Sequence, residues 1–201
     1  MEIGALLKTF IYLIASSLLY PVLFLLVVLT LLILIYSGSF FAEWLERVRL
    51  KNYASEDLPG IIKEQKDISV LSHRVNNYIN NLKTVIARSN QTSETEIENL
   101  IQENILKIWK SMDRLRMLVR IAPGLGLIGT LIPMGTGLAA LGQGDMTKLS
   151  SDLVIAFTTT VVGLTLGIIS FFFYTVKRRW VEEDIKNMEL ATELLTDKLL
   201  E

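Results

Sequence analysis

The chain contains no cysteine and a single histidine, His73. Without cysteine it can form no disulfide and no iron–sulfur ligation, and one histidine leaves little for a metal centre. The net charge of −1 gives no basic face of the kind that nucleic-acid binding needs. We therefore expect no cofactor, no metal, no nucleic-acid partner and no enzymatic activity.

Charge is also missing from three long stretches of the sequence. No charged residue occurs in residues 9–42, 121–141 or 153–176. A helix needs about 20 apolar residues to cross the roughly 30 Å hydrocarbon core of a bilayer, and each stretch is long enough. The sequence thus predicts an all-α polytopic membrane protein with three transmembrane helices and long cytosolic helical extensions.

The first uncharged stretch is longer than one span requires, about 50 Å at a helical rise of about 1.5 Å per residue. Pro21 disfavours helical geometry in the residue before it, so we expect it to divide the stretch. Residues 1–20 then form an N-terminal interfacial helix, and residues 21–42 form the first transmembrane helix. An aromatic belt is expected at the far end of this span, formed by Phe40, Phe41 and Trp44. A cleaved signal peptide is the alternative; it fits poorly because the apolar run is too long and only Lys8 precedes it as a basic residue.

The rest of the chain alternates between helical segments of different polarity. In order they are a cytosolic helical region (43–120), the second transmembrane helix (121–141), a short outer loop (142–152), the third transmembrane helix (153–176) and a cytosolic C-terminal helix (177–201). Pro59–Gly60 is expected to interrupt the first of these helical regions.

Basic residues next to the spans indicate the orientation. Most of them flank the segments assigned to the cytosol: Arg47, Arg49, Lys51, Lys107, Lys110, Arg114, Arg116, Arg120, Lys177, Arg178 and Arg179. Only Lys8 and Lys148 lie on the other side. Because basic residues accumulate on the cytosolic side of spans, we expect an inner (cell) membrane protein with its N-terminus outside and its C-terminus in the cytosol.

The third span carries small residues along one helical face. Ala156, Thr160, Gly163 and Gly167 are spaced at i, i+4, i+7 and i+11. Such a face indicates either close helix packing or a water-filled lumen. The candidate pore-lining residues are Thr160, Ala156, Gly163, Gly167 and Thr159 in this span, together with Thr130 in the second span.

The second span is rich in glycine and proline, which a membrane bundle tolerates because neighbouring helices can approach closely and satisfy freed backbone groups. The candidate helix-packing and kink residues are Pro123, Gly126, Gly129, Pro133 and Gly137. Thr130 in this span and Thr160 in the third can together coordinate a cation or a water molecule. The alternative is that both hydroxyls bond back to carbonyl groups of their own helices.

Neither the second nor the third span contains an aspartate, glutamate, histidine, lysine or arginine. A proton relay needs a group that takes up and releases the proton, usually an aspartate, a glutamate or a histidine. A proton path along these spans would therefore depend on a carboxylate from another subunit. The same lack counts against a self-contained transporter.

Two motifs resemble those of the MotA/TolQ/ExbB proton channel family. Arg120–Thr130 (RIAPGLGLIGT) is similar to its second-span motif, and Ala156–Leu164 (AFTTTVVGL) is similar to its third-span motif. The layout of three spans with a large cytosolic region after the first also resembles the family. Two positions depart from it: Ile155 stands where ExbB and TolQ have a glutamate, and Pro133 where the family more often has another residue.

This resemblance implies a homopentamer whose second and third spans surround a pore, with Thr130 and Thr160 at the family's pore-lining threonines. It also implies a single-span partner similar to ExbD, TolR or MotB, which supplies a membrane aspartate. The implied function is that of a proton or sodium channel subunit which couples ion-motive force to mechanical work at the cell envelope. The alternative is a non-conducting membrane scaffold whose small-residue faces serve only oligomer packing.

Overall fold

A computed structural model describes residues 2–50, 71–88 and 94–200 of the chain. These residues form five α-helices: α1 (Glu2–Ser17), α2 (Leu19–Leu50), α3 (His73–Arg88), α4 (Glu94–Gly142) and α5 (Met146–Leu200). No strand occurs in the described ranges, so the predicted all-α class is confirmed. The interruption predicted at Pro59–Gly60 lies outside the described residues.

Within the described residues, three helical stretches are long and apolar enough to cross a bilayer: Thr9–Arg49, Thr95–Gly142 and Met146–Thr196. Only 17%, 28% and 33% of their most apolar windows are buried within the chain. Apolar surface exposed on this scale has to face lipid tails or other protein chains. The chain is therefore a membrane protein with three candidate spanning helices, as the sequence predicted.

Leu18 alone separates α1 from α2, three residues before Pro21. The amide of Leu18 donates to the carbonyl of Ile14 at 3.1 Å, and the amide of Val22 donates to the carbonyl of Leu18 at 3.1 Å. Pro21 thus lies in the first turn of α2, where its missing amide hydrogen would have had no helical partner.

The helices that contain the spans do not stop at the predicted span ends. α2 continues past residue 42 to Leu50, α4 passes through residue 121, and α5 passes through residue 176. Charged residues such as glutamate, lysine and arginine are good helix formers, so a change from apolar to charged sequence changes the surroundings and not the backbone conformation.

The chain divides into two compact units. The first, called here the apolar unit, comprises Met1–Ser37 and Leu115–Phe173. The second, the charged unit, comprises Gly38–Arg114 and Tyr174–Glu201. The candidate site lies in the apolar unit.

A hydrophobic cluster from α3, the residue Leu71 just before it, α4 and α5 forms the core of the charged unit. Its buried members are Leu71, Val75, Tyr78, Ile79, Leu82, Ile97, Ile108, Met112, Val181, Met188 and Ala191. Most of them recur at spacings of three or four residues within their helices, which is the pattern of a helix with one buried face. The Tyr78 hydroxyl lies 2.6 Å from that of Thr192. Burial raises the pKa of Tyr78 above its ordinary 10.0, and this hydrogen bond opposes the shift.

A carboxylate is also buried in the charged unit. Asp184 is 1% exposed and accepts hydrogen bonds from Arg47 at 2.7 Å and from the Ser72 hydroxyl at 2.9 Å. The Arg74 guanidinium lies 3.8 Å from the same carboxylate. Burial raises the pKa of Asp184, while Arg47, Ser72 and Arg74 oppose that rise.

The expected aromatic belt is only partly exposed. Phe41 and Trp44 are exposed, whereas Phe40 is only 5% exposed. The Phe40 ring stacks on the ring of Trp180 at a centroid distance of 5.3 Å, so it packs inside the charged unit. The pattern of aromatic residues in α2 could not reveal this contact, because Trp180 lies far away in the sequence.

Candidate functional site

Helices α4 and α5 pack closely against each other where both carry glycine. A methyl group added at Gly163 would lie 2.6 Å from the Cα atom of Gly126 and 2.8 Å from the carbonyl oxygen of Ala122. A methyl group at Gly167 would lie 2.5 Å from Cγ of Pro123. These distances are shorter than any ordinary contact. Because Gly163 and Gly167 lack side chains, α5 can lie this close to the α4 backbone at Gly163 and to the Pro123 ring at Gly167.

The same contact between the helices continues toward the loop that joins them. A methyl group at Gly129 would lie 2.8 Å from Cβ of Thr159, which is 4% exposed. The Thr159 hydroxyl donates to the carbonyl oxygen of Ala156 at 2.9 Å, and Ala156 is itself buried. Pro133 is fully buried on α4, which stays helical through both of its prolines.

Two hydroxyl groups meet at the edge of this close contact. The Thr130 hydroxyl donates to the carbonyl oxygen of Gly126 at 2.9 Å, and it also forms a hydrogen bond with the hydroxyl of Thr160 on α5. The Ala156 carbonyl oxygen is 3.4 Å away. Both threonines are half-buried within the single chain, so part of each side chain faces outward.

The pair keeps unused hydrogen-bonding capacity. A threonine hydroxyl has one hydrogen and two acceptor lone pairs. If Thr130 donates to the Gly126 carbonyl and Thr160 donates to Thr130, three lone pairs remain free on the two oxygens. Lone pairs of this kind can coordinate a monovalent cation or accept hydrogen bonds from water or hydronium.

The candidate pore-lining residues therefore fall into two groups in the single chain. Ala156, Thr159, Gly163 and Gly167 are buried, and the two glycines and Thr159 lie directly against α4. Thr130 and Thr160 form the hydroxyl pair. Whether any of them lines a pore depends on an assembly, so that assignment stays a prediction.

All five candidate packing residues lie on α4, and four of them have close neighbours on α5. Pro123, Gly126 and Gly129 lie opposite Gly167, Gly163 and Thr159, as described above. A methyl group at Gly137 would lie 3.2 Å from Leu149 and 3.3 Å from Cβ of Asp152. The one-sided spacing of small residues on α5 was the sequence signal for this contact.

The other faces of α5 are apolar and exposed in the single chain. They carry Val154, Phe157, Val161, Leu164, Ile168, Phe171 and Phe172, each between 46% and 69% exposed. Thr158 is also exposed, and its hydroxyl donates to the carbonyl of Val154 at 2.7 Å. These faces are available to lipid or to neighbouring chains.

A second polar contact between the two helices involves residues that no motif marks. The Thr136 hydroxyl donates to Oδ2 of Asp152 at 2.7 Å and lies 3.0 Å from the Pro133 carbonyl oxygen. The available sequence signal was an aspartate four residues before Ala156, on the same helical face.

Comparison with known proteins finds similarity in the part of the chain that carries these contacts. The model of the MotA/TolQ/ExbB proton channel family matches residues 65–190, which include the close contact and the hydroxyl pair. A protein of Methanothermobacter thermautotrophicus described as a biopolymer transport protein ExbB homolog is 24% identical over 136 residues. That alignment covers 67% of this chain and 49% of the relative, so the chain spans about half of the relative's length. No solved structure matches.

Proposed function

The chain belongs to the MotA/TolQ/ExbB proton channel family, and from this premise we propose that it is a proton or sodium channel subunit of the cell membrane. With a single-span partner similar to ExbD, TolR or MotB, it couples ion-motive force to mechanical work at the cell envelope. The observation that carries the proposal is the hydroxyl pair of Thr130 and Thr160.

The chemistry of the spans supports a division of labour between two proteins. Residues 121–141 and 153–176 offer hydroxyl and carbonyl oxygens but no group that titrates near neutral pH. Such oxygens can pass a cation or orient water, yet they cannot store a proton. The partner supplies the aspartate that binds the ion, and Thr130 and Thr160 supply the wall past which the ion moves.

We further propose a homopentamer in which the second and third spans of each copy surround the partner helices. The apolar faces of α5 that are exposed in the single chain then contact neighbouring copies or lipid. The N-terminus lies outside and the C-terminus in the cytosol, as the distribution of basic residues indicates.

A non-conducting scaffold is the second candidate, because the glycine contacts are packing contacts, although they join two spans of one chain and not two copies. Gly163 and Gly167 lie against Gly126 and Pro123 of the same chain, so packing alone accounts for those small residues. Packing also accounts for the hydrogen bond between Thr130 and Thr160, but it gives no role to the lone pairs that the two oxygens keep free. The two candidates therefore differ in what they require of the hydroxyl pair.

The test is the substitution Thr160→Val, which removes the hydroxyl and keeps the shape of the side chain. The complex is purified through a tag on this chain, from cells that make its natural partner, and is reconstituted into vesicles. A pH-sensitive dye inside reports proton flux and a sodium-sensitive dye reports sodium flux. A hydrogen bond to a charged group contributes about 1.5–3 kcal/mol, so we expect flux to fall by roughly 10- to 100-fold.

Thr158→Val is the matched control, because Thr158 is exposed and, among the described residues, its hydroxyl bonds only to its own helix. It should keep wild-type flux. Wild-type flux in the Thr160→Val complex would remove that residue from the ion path. A wild-type complex that passes neither ion would favour the scaffold.

A further inference from the structure

We propose that Asp152, held by Thr136, is the cation-attracting residue at the outer mouth of the ion path. This inference rests on the proposed function. The cation concerned is monovalent, either hydronium or sodium, and the carboxylate raises its local concentration before it reaches Thr130 and Thr160. The geometry, the charge and the free acceptor atoms of Asp152 each support this role.

The position of the contact is the first argument. Thr136 lies six residues beyond Thr130 on α4, and Asp152 lies eight residues before Thr160 on α5. At about 1.5 Å per residue, the contact between Thr136 and Asp152 is about 9–12 Å from the hydroxyl pair, toward the loop that joins the helices. Both polar contacts thus connect the same two helices, one near mid-span and one at the outer end.

The charge of Asp152 is the second argument. Within the described ranges no ion pair involves Asp152, although Lys148 lies four residues before it on the same helix. Its side chain is half-buried, and the nearby Gly137 leaves room for it. A carboxylate without a cationic partner, partly shielded from water, generates a strong local field that attracts cations.

The free acceptor atoms of Asp152 are the third argument. An ionised carboxylate has two oxygens with about four acceptor sites. Thr136 donates to Oδ2 at 2.7 Å, and in the described part of the chain no hydrogen bond to Oδ1 is present. The hydroxyl fixes the orientation of the carboxylate, and the other oxygen remains available to a cation or its hydration water.

The neighbouring acid Asp145 differs from Asp152 in its exposure and in the group that donates to it. Asp145 is exposed, and it accepts a hydrogen bond from the backbone amide of Lys148 at 2.9 Å at the start of α5. That contact caps the helix, which is the ordinary role of an aspartate at this position. In the proposed homopentamer five copies of Asp152 form a ring, the arrangement with which cation channels select by charge.

The experiment compares Asp152→Asn with wild type in the reconstituted complex, using the same proton and sodium dyes. Attraction by a charge is screened by salt: the Debye length is about 30 Å at about 10 mM and about 3 Å at about 1 M. We expect Asp152→Asn to lower cation flux by about threefold or more at low salt and to leave it nearly unchanged at high salt. The dye that reports the loss identifies the cation.

Three variants keep the test specific. Asp152→Glu retains the charge and should recover most of the flux at low salt. Thr136→Val removes the hydrogen bond but not the charge, so it should lower flux less than Asp152→Asn does. Asp145→Asn removes the other outer carboxylate and should change flux by less than twofold. The elution volume of each complex in gel filtration reports whether assembly is intact.

Two results would overturn the inference while leaving the proposed function in place. One is wild-type flux in Asp152→Asn at low salt, together with the expected loss in Thr160→Val. The other is an equal loss at low and high salt, which would mean that Asp152 acts only through packing. A wild-type complex that conducts neither cation would overturn the proposed function and this inference together.

Discussion

Replacing Gly163 by alanine should weaken the contact between the two spans that carry the hydroxyl pair. The added methyl group would lie 2.6 Å from the Cα atom of Gly126, 2.8 Å from the Ala122 carbonyl oxygen and 2.9 Å from the Gly126 nitrogen. All three neighbours are backbone atoms, so no side chain can rotate away. Ordinary contact begins near 3.4 Å, and the helices would have to separate locally by about 0.8 Å.

The free-energy cost follows from that separation. Introducing a methyl group into a well-packed contact costs about 1–3 kcal/mol, and the higher values apply where the backbone has to move. Alanine also has a higher helix propensity than glycine by about 0.8–1.0 kcal/mol, which acts in the opposite direction. A control with the same propensity gain but no clash is therefore needed.

Gly135 on α4 provides that control, because it is exposed and a methyl group added there would meet nothing within 4 Å. The propensity gain is common to Gly163→Ala and Gly135→Ala, so the difference between their unfolding free energies isolates the clash. We expect Gly163→Ala to be less stable by about 1–3 kcal/mol. The measurement is denaturant unfolding in detergent micelles, followed by circular dichroism.

Gly163→Ala should also lower ion flux. Gly163 lies three residues after Thr160, so separating the helices there moves the Thr160 hydroxyl away from Thr130. Equal unfolding free energies for Gly163→Ala and Gly135→Ala would refute the close approach of the two backbones. Wild-type flux in a destabilised Gly163→Ala complex would refute its connection with the hydroxyl pair.

The remaining predictions concern the charged unit and use the same unfolding measurement. Asp184→Leu leaves the Arg47 guanidinium, which is 14% exposed, without its closest carboxylate and should lower the free energy of unfolding by about 3 kcal/mol. Asp184→Asn keeps an oxygen for Arg47 and Ser72 and should lower it by only about 1 kcal/mol. Equal losses in the two variants would contradict this role of the ion pair. Burial raises the pKa of Asp184 above its ordinary 3.8, so the folded chain binds the carboxyl proton more tightly than the unfolded chain does. The contribution of this protonation to the free energy of unfolding is therefore complete below pH 3.8 and is lost as the pH rises to the raised pKa. Asp184→Asn should abolish that loss, and an unchanged pH profile would refute it. Tyr78→Phe removes one hydrogen bond and should lower the free energy of unfolding by about 1 kcal/mol. Leu82→Ala truncates a fully buried side chain and should lower it by about 2–5 kcal/mol. A larger loss in Tyr78→Phe than in Leu82→Ala would contradict the described core.

The three spans could be predicted from the sequence because the requirement for them is local. Any helix that crosses a bilayer must contain about 20 residues without charge, whatever its neighbours are. The uncharged stretches 9–42, 121–141 and 153–176 met that requirement, and each lies in one of the candidate spanning helices of the structure. The continuation of α2 to Leu50 was less predictable, because helix formers extend a helix without any signal that marks its end.

The buried acid Asp184 shows where sequence patterns are ambiguous. It lies three residues after Val181 and four before Met188, on the buried face of α5. From the sequence alone an aspartate in a charged helix is read as solvated, since most are. Its burial depends on Arg47, Ser72 and Arg74, which come from distant parts of the chain.

The sequence by itself determined the helical class, the three apolar spans and the residues of the two motifs, because absence of charge, glycine content and helical spacing are properties of each segment alone. Only the tertiary structure decided how α4 and α5 align. That alignment places Gly163 on Gly126, Thr160 on Thr130 and Asp152 on Thr136. The physical reason is that one helix offers several faces and positions for packing, and the choice among them depends on the complementary shape and hydrogen bonds of the other.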